Sequence, residues 1–102
     1  VLNNWPVPAK LAADTIQQVL GKDALMKTEP HLTAEDFGFY LEKMPGAFLW
    51  LGCRKQGEPI YGLHSAKLCP DENTLHIGSK LVEQIALNAL WALNNGVNFT
   101  KN

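Results

Sequence analysis

The stretch around which this chain is organised is IYGLHSAKL, at residues 60–68. It follows an apolar, strand-like run and ends shortly before a long helical pattern, so we expect His64 where a strand edge opens into a loop. In α/β proteins such loops carry the functional side chains. We therefore take His64 as the first candidate for the chemistry of the protein. Two further stretches, TAEDF at 33–37 and MPGAF at 44–48, lead into it.

Length and composition restrict the class of protein. The 102 residues are 46% hydrophobic and 19% charged, which is typical of one globular domain with a modest core. A formal net charge of -1 gives no broad basic field for nucleic acid or anionic lipid. No apolar run approaches the roughly 20 residues that span a bilayer, and the N-terminus lacks a signal-peptide pattern. We expect a soluble protein without a nucleic-acid or membrane partner.

The cysteines indicate a cellular compartment. Cys53 and Cys69 are too few to form a disulfide framework, so a reducing, cytoplasmic location is expected. A bridge between the two stays open, because the sequence does not give the distance between their Cα atoms.

Helical spacing of apolar residues predicts three helices, of which the second has Thr33 as its N-cap. Gly21 and Gly96 are the stop signals of the first and third. The helices are expected at residues 8–20, 33–44 and 74–95. The third is apolar around much more than one stripe, and such a helix requires cover on more than one side.

Extended segments are expected between these helices. Residues 1–7 read as an extended segment held by prolines, residues 24–28 as a short strand, and residues 47–53 as a strand covered on both faces. The predicted fold class is α/β: a partial α/β sandwich of about three helices with two or three short strands. Such strands need neighbours that the chain hardly supplies. The chain is therefore expected to be part of a larger α/β domain, or to complete its core by association.

The order of several motifs resembles one enzyme family. The motifs are TAEDF at 33–37, YLEKMPGAF at 40–48, LG at 51–52, LHS at 63–65, PDE at 70–72 and IG at 77–78. Together they resemble the C-terminal part of metal-dependent amidohydrolases. These include hippurate hydrolase, N-acyl-amino-acid amidohydrolase and indole-acetyl-amino-acid hydrolase, within the aminoacylase and carboxypeptidase superfamily.

The resemblance implies an assignment for the whole chain. Residues 1–102 would be the C-terminal segment of a catalytic domain that an inserted lid or dimerisation domain interrupts, with residues 1–7 as the return crossing into its sheet. The parent enzyme would cleave the amide bond of N-acyl amino acids or related amides with two divalent metal ions, zinc or manganese. The partner of this chain would be the missing N-terminal half, with a homodimer as a further association. Alone, the chain is expected to be inactive and to bind no metal tightly.

The same resemblance implies the site residues. His64 would be a ligand of the two-metal centre, whereas without the family a structural histidine is the more ordinary interpretation. Thr33, Ala34 and Glu35 would line the pocket near the substrate carboxylate or the metals. Helix capping by Thr33 and Asp36 is the alternative, and capping is compatible with a role of these residues in the pocket. No catalytic residue is assigned, because the acidic general base and the other ligands belong to the N-terminal half.

Two positions depart from the family pattern. Ala34 stands where glycine is common, which narrows the approach of the backbone to substrate. Ala66 stands where proline is common, which leaves the loop of His64 less rigid.

Two alternatives stay open. A separate zinc site of Cys53, His64, Cys69 and His76 has suitable residue types, but its spacing matches no paired-ligand pattern. The competing function is a non-catalytic module for self-association or partner binding. A metal motif with paired glutamates upstream in the gene would favour the enzyme, and a start codon close to Val1 would favour the module.

Overall fold

The structure is a computed structural model, and it describes residues 3–26, 36–52 and 71–100. In chain order it contains the helix α1 (Pro6–Leu20), a 3-10 helix (Lys22–Ala24), the short helix α2 (Phe37–Leu41) and the long helix α3 (Asn73–Asn94). The main packing contact between these elements joins α1 and α3.

The first helix is confirmed, although it begins earlier than the sequence predicts. Trp5 is extended, with φ -72° and ψ 138°, and Pro6 occupies the first helical turn. Proline suits that turn, because its φ is already helical and its missing N–H would have no partner there. Gly21 ends the helix at φ 94°, a conformation that favours glycine. The expected extended segment at residues 1–7 is therefore helical from Pro6 onward.

The third helix is also confirmed. Asp71 organises its start: the carboxylate Oδ1 accepts the N–H of Asn73 at 3.0 Å, and the carbonyl accepts the hydroxyl of Thr74 at 2.6 Å. At the other end Gly96 has φ 79°, and the N–H of Val97 donates to Ala92 O at 3.0 Å. This is the hydrogen-bond pattern of a glycine-terminated helix.

Within the described residues the second helix is shorter than predicted: it ends at Leu41, whereas the prediction runs to residue 44. A longer helix would need the N–H of residue 45 to donate to the carbonyl of Leu41, and residue 45 is proline, which has no N–H. The indole Nε1 of Trp5 donates to that carbonyl instead, at 2.7 Å. A turn follows, in which Lys43 and Met44 both donate to Tyr40 O.

A chain of polar contacts joins α1 to α3. Thr15, which is 1% exposed, donates its hydroxyl to Leu11 O at 2.7 Å and accepts Asn88 Nδ2 at 2.9 Å. Asn88 also donates to Gln18 Oε1 at 3.3 Å and accepts Gln84 Nε2 at 2.9 Å. The buried hydroxyl is therefore fully paired, and the network fixes how the two helices face each other.

The α/β prediction is wrong for the described residues. Of these, 63% are helical, and no strand or sheet occurs in that part of the chain. Residues 24–26 and 47–52 are the described parts of two expected strands, and neither forms a ladder. A strand requires successive backbone partners, whereas residues 46–48 meet one backbone donor, the N–H of Trp5, and the side chain of Asn4. The region expected to hold a strand before His64 lies outside the described residues.

Much of the apolar surface of α3 is exposed. Leu75 is 71% exposed, Val82 68% and Trp91 67%, while the buried hydrophobic residues of the described ranges are few. Those buried residues are Ala12, Ile16, Leu41, Leu81 and Ala92. A helix with this much exposed apolar surface requires more cover than the described elements give it.

Candidate functional site

The residues proposed for the chemistry lie outside the described ranges. This holds for His64, for Thr33, Ala34 and Glu35, and for both cysteines. Of the alternative zinc set, His76 is described, and it is exposed on α3.

The described residue Asp36 borders the proposed substrate segment, residues 33–35. Asp36 directly follows Glu35, is exposed, and accepts the N–H of Phe39 with its backbone carbonyl at 3.0 Å. Its carboxylate makes no capping hydrogen bond to α2. Asp36 was expected one turn inside a helix begun by Thr33, and it instead lies immediately before the first residue of α2.

An apolar groove of about 580 Å³ lies between α1, α2, the segment 45–49 and α3. Phe37 and Phe48 stand 5.7 Å apart between ring centroids, and Phe48 meets Trp50 edge to face at 5.5 Å. These distances are typical of stabilising aromatic pairs. The lining residues are apolar or glycine: Pro8, Leu11, Ala12, Phe37, Pro45, Gly46, Ala47, Phe48, Leu49, Val82, Ile85, Ala86, Ala89 and Phe99.

A second, more polar cleft of about 360 Å³ lies between α1 and α3. Its wall carries Gln18, Asn88 and the exposed ring of Trp91, together with Lys10 and Asp14. Lys10 and Asp14 form an ion pair at 2.9 Å with both side chains largely exposed, and such pairs contribute little to stability.

The chemistry available to the described residues is limited. Among them no group of three or more His, Cys, Asp or Glu side chains is placed to hold a metal ion. Within the same ranges, no helix is both long and apolar enough to cross a membrane. The groove can bind apolar groups, but its lining supplies neither a proton donor nor a charged side chain.

Sequence reasoning missed the two residues that position the segment leading toward residues 53–70. Asn4 donates Nδ2 to Phe48 O at 3.2 Å and accepts the N–H of Phe48 at 2.8 Å, while Trp5 bonds Leu41 and Gly46. The side chain of Trp5 is half-buried. For Asn4 the sequence signal is faint, because a polar residue before a helical proline is ordinarily a cap.

Comparison with known proteins gives one family match. Residues 1–88 match the family described as peptidase family M20/M25/M40. No solved structure gave a significant match.

Curated relatives carry hydrolase names. N-acetyldiaminopimelate deacetylase of Lactobacillus helveticus is 42% identical over 65 residues, covering 64% of this chain and 16% of the deacetylase. Thermostable carboxypeptidase 1 of Saccharolobus solfataricus is 40% identical over 68 residues, covering 65% of this chain and 17% of the carboxypeptidase. The chain thus spans about a sixth of the length of these relatives. The resemblance to the aminoacylase and carboxypeptidase superfamily is confirmed, and the subfamily is not distinguished.

Proposed function

The chain belongs to peptidase family M20/M25/M40, and we propose that it is a segment of a metal-dependent hydrolase that cleaves the amide bond of N-acyl amino acids or related amides. The observation that carries the proposal is the family match over residues 1–88, which includes residues 33–35 and His64. The names of the relatives, a deacetylase and a carboxypeptidase, agree with amide hydrolysis.

In this proposal His64 is one ligand of a divalent metal centre. Peptidases of this family are generally metal-dependent, and a neutral imidazole nitrogen is a common ligand of zinc and manganese. In the same proposal the other ligands belong to the N-terminal half of the catalytic domain, as the family resemblance implies. When bound, the metal would polarise the amide carbonyl and activate a water molecule. The contribution of the chain is to present the imidazole and to hold its second ring N–H in a fixed tautomer.

Thr33, Ala34 and Glu35 are proposed to contact the substrate. They immediately precede Asp36 and α2, whose Phe37 is fixed against Phe48 in the apolar groove. The proposal therefore places the substrate contacts directly before a helix that is itself anchored, because productive catalysis requires positioned groups.

The partner of the chain in this proposal is the remainder of the catalytic domain. The exposed apolar face of α3 supports a missing partner, since surfaces of this kind are ordinarily covered. The general base and the other ligands would come from that partner, so the chain alone is expected to be inactive. A cytoplasmic location belongs to the same proposal and rests on the low cysteine content.

A chimera tests the function. The chain would replace the matching region of the Lactobacillus helveticus deacetylase, and amide hydrolysis would be assayed with zinc or manganese present. We expect the chimera to hydrolyse N-acetyldiaminopimelate, and the isolated chain to hydrolyse none.

The matched variants are His64→Ala and His76→Ala in the chimera. The first should remove hydrolysis, because a metal ligand is lost, and the second should leave it unchanged, because His76 is exposed on α3. Equal activity of all three chimeras, or hydrolysis by the chain alone, would contradict the assignment.

A further inference from the structure

Helix α2 requires an anchor from outside itself. It has five residues, and an isolated helix of that length is unstable in water. The side chain of Asp36, which precedes it, makes no capping hydrogen bond to its first turn. Among the described elements, α2 makes no close backbone contact with α1 or α3. Its position relative to the two long helices therefore depends on side chains that reach across to it.

Trp5 reaches across in this way. Its indole Nε1 donates to Leu41 O at 2.7 Å, and its backbone N–H donates to Gly46 O at 3.0 Å. Its own carbonyl accepts the N–H of Ala9 at 2.9 Å, which opens the hydrogen-bond ladder of α1. One residue thus joins the start of α1 to the end of α2 and to the segment that follows α2.

The indole bond gives α2 a fixed direction. Leu41 is 3% exposed and the bond to its carbonyl is partly buried, so water has limited access to that carbonyl. Pro45 cannot supply the helical donor that the carbonyl would otherwise have. The aromatic contact of α2 with the following segment, Phe37 against Phe48 at 5.7 Å, is apolar. Apolar contacts are non-directional, so they resist a small shift of the helix less than the hydrogen bond does.

We propose that Trp5 is a positioning residue for substrate binding: by fixing α2, it fixes residues 33–35, which precede Asp36 and contact the substrate in the proposed function. This inference rests on that proposed function. Trp5 itself does not touch the substrate, and it acts by arranging in advance the groups that do. The segment that leads toward His64 keeps the backbone bond of Trp5 to Gly46 and the bonds of Asn4 to Phe48 when the indole is lost. The indole therefore governs substrate affinity and leaves the metal centre unaffected.

Steady-state hydrolysis by the chimera with the Lactobacillus helveticus deacetylase tests this role. Trp5→Phe keeps an aromatic ring but removes the indole donor. We expect KM for N-acetyldiaminopimelate to rise roughly two- to ten-fold, the worth of one such hydrogen bond, with kcat and zinc affinity unchanged. A merely structural role would lower the fraction of folded enzyme, and with it the apparent kcat, without moving KM. Trp91→Phe is the matched control, at a tryptophan of α3 that is 67% exposed, and it should leave KM unchanged.

Amide hydrogen exchange of the same chimeras gives a second readout. Exchange at the amides of α2 should be several-fold faster in Trp5→Phe and unchanged in Trp91→Phe. An active chimera in which Trp5→Phe leaves KM unchanged, lowers kcat alone, or does not speed exchange in α2 would overturn the positioning role while the hydrolase assignment stands. Absence of hydrolysis in the chimera with Trp5 intact would overturn the hydrolase assignment and this inference with it.

Discussion

Two neighbouring side chains, Asn4 and Trp5, hold a segment that lies some 40 residues further along the chain. Trp5 accomplishes this because Pro45 cannot donate to Leu41, so the indole takes the vacant carbonyl. Asn4 substitutes for a backbone partner at Phe48. These hydrogen bonds therefore fix residues 46–48, from which the chain continues toward residue 53.

Replacing Asn4 by alanine tests this anchoring. The variant loses two hydrogen bonds to exposed backbone groups that water can partly satisfy, so we expect a loss of about 1 kcal/mol in the free energy of unfolding. Urea denaturation measures it. Asn3→Ala is the control, because Asn3 is exposed and makes no hydrogen bond in the described ranges. Equal stability of the two variants would count against the anchor.

For single residues, the sequence predicts the glycines that end helices better than it predicts hydrogen bonds between distant residues. Gly21 and Gly96 were both identified as helix ends, and both have positive φ. The bonds of Asn4 were not foreseeable, because they join residues 44 positions apart and no local pattern marks them.

Among the elements, α2 packs closely against the segment that follows it at Gly46. A β-carbon built on Gly46 would lie 3.0 Å from Leu41 Cδ2 and 3.4 Å from Phe37 Cζ. Leu41 is 3% exposed and has little room to move. The segment can run beside α2 because residue 46 has no side chain.

Gly46→Ala should therefore destabilise the chain by about 1 kcal/mol through overpacking. Gly52→Ala is the matched substitution, with nothing within 4 Å of the added carbon, and its effect should stay within about 0.5 kcal/mol. Thermal or urea unfolding of the two variants checks the difference. A Gly46→Ala variant as stable as Gly52→Ala would show that the close fit is absent in solution.

Helices α1 and α3 were predictable because apolar periodicity and glycine stops are local signals. The strand predictions were wrong for the described residues, because an apolar run such as residues 47–52 indicates burial without supplying the partner that a ladder needs. In the described residues the side chain of Asn4 bonds Phe48 of this run, the N–H of Trp5 bonds Gly46 just before it, and the run belongs to no sheet there.

For the whole molecule, a small core contrasts with a broad exposed apolar surface. The chain also covers 16–17% of the relatives cited above. Family membership was predictable from the order of short motifs, which the match over residues 1–88 confirms. The roles of His64, Thr33, Ala34 and Glu35 stay predictions, since their partners would come from outside the chain.

Titration of zinc or manganese into the isolated chain, into the chimera with the Lactobacillus deacetylase, and into the His64→Ala form of each tests the central claim most directly. The account predicts no tight binding by the isolated chain, tight binding by the chimera, and at least about ten-fold weaker binding once His64 is replaced in the chimera. Tight, stoichiometric binding by the isolated chain that disappears in His64→Ala would contradict it, because the chain would then build a metal centre of its own.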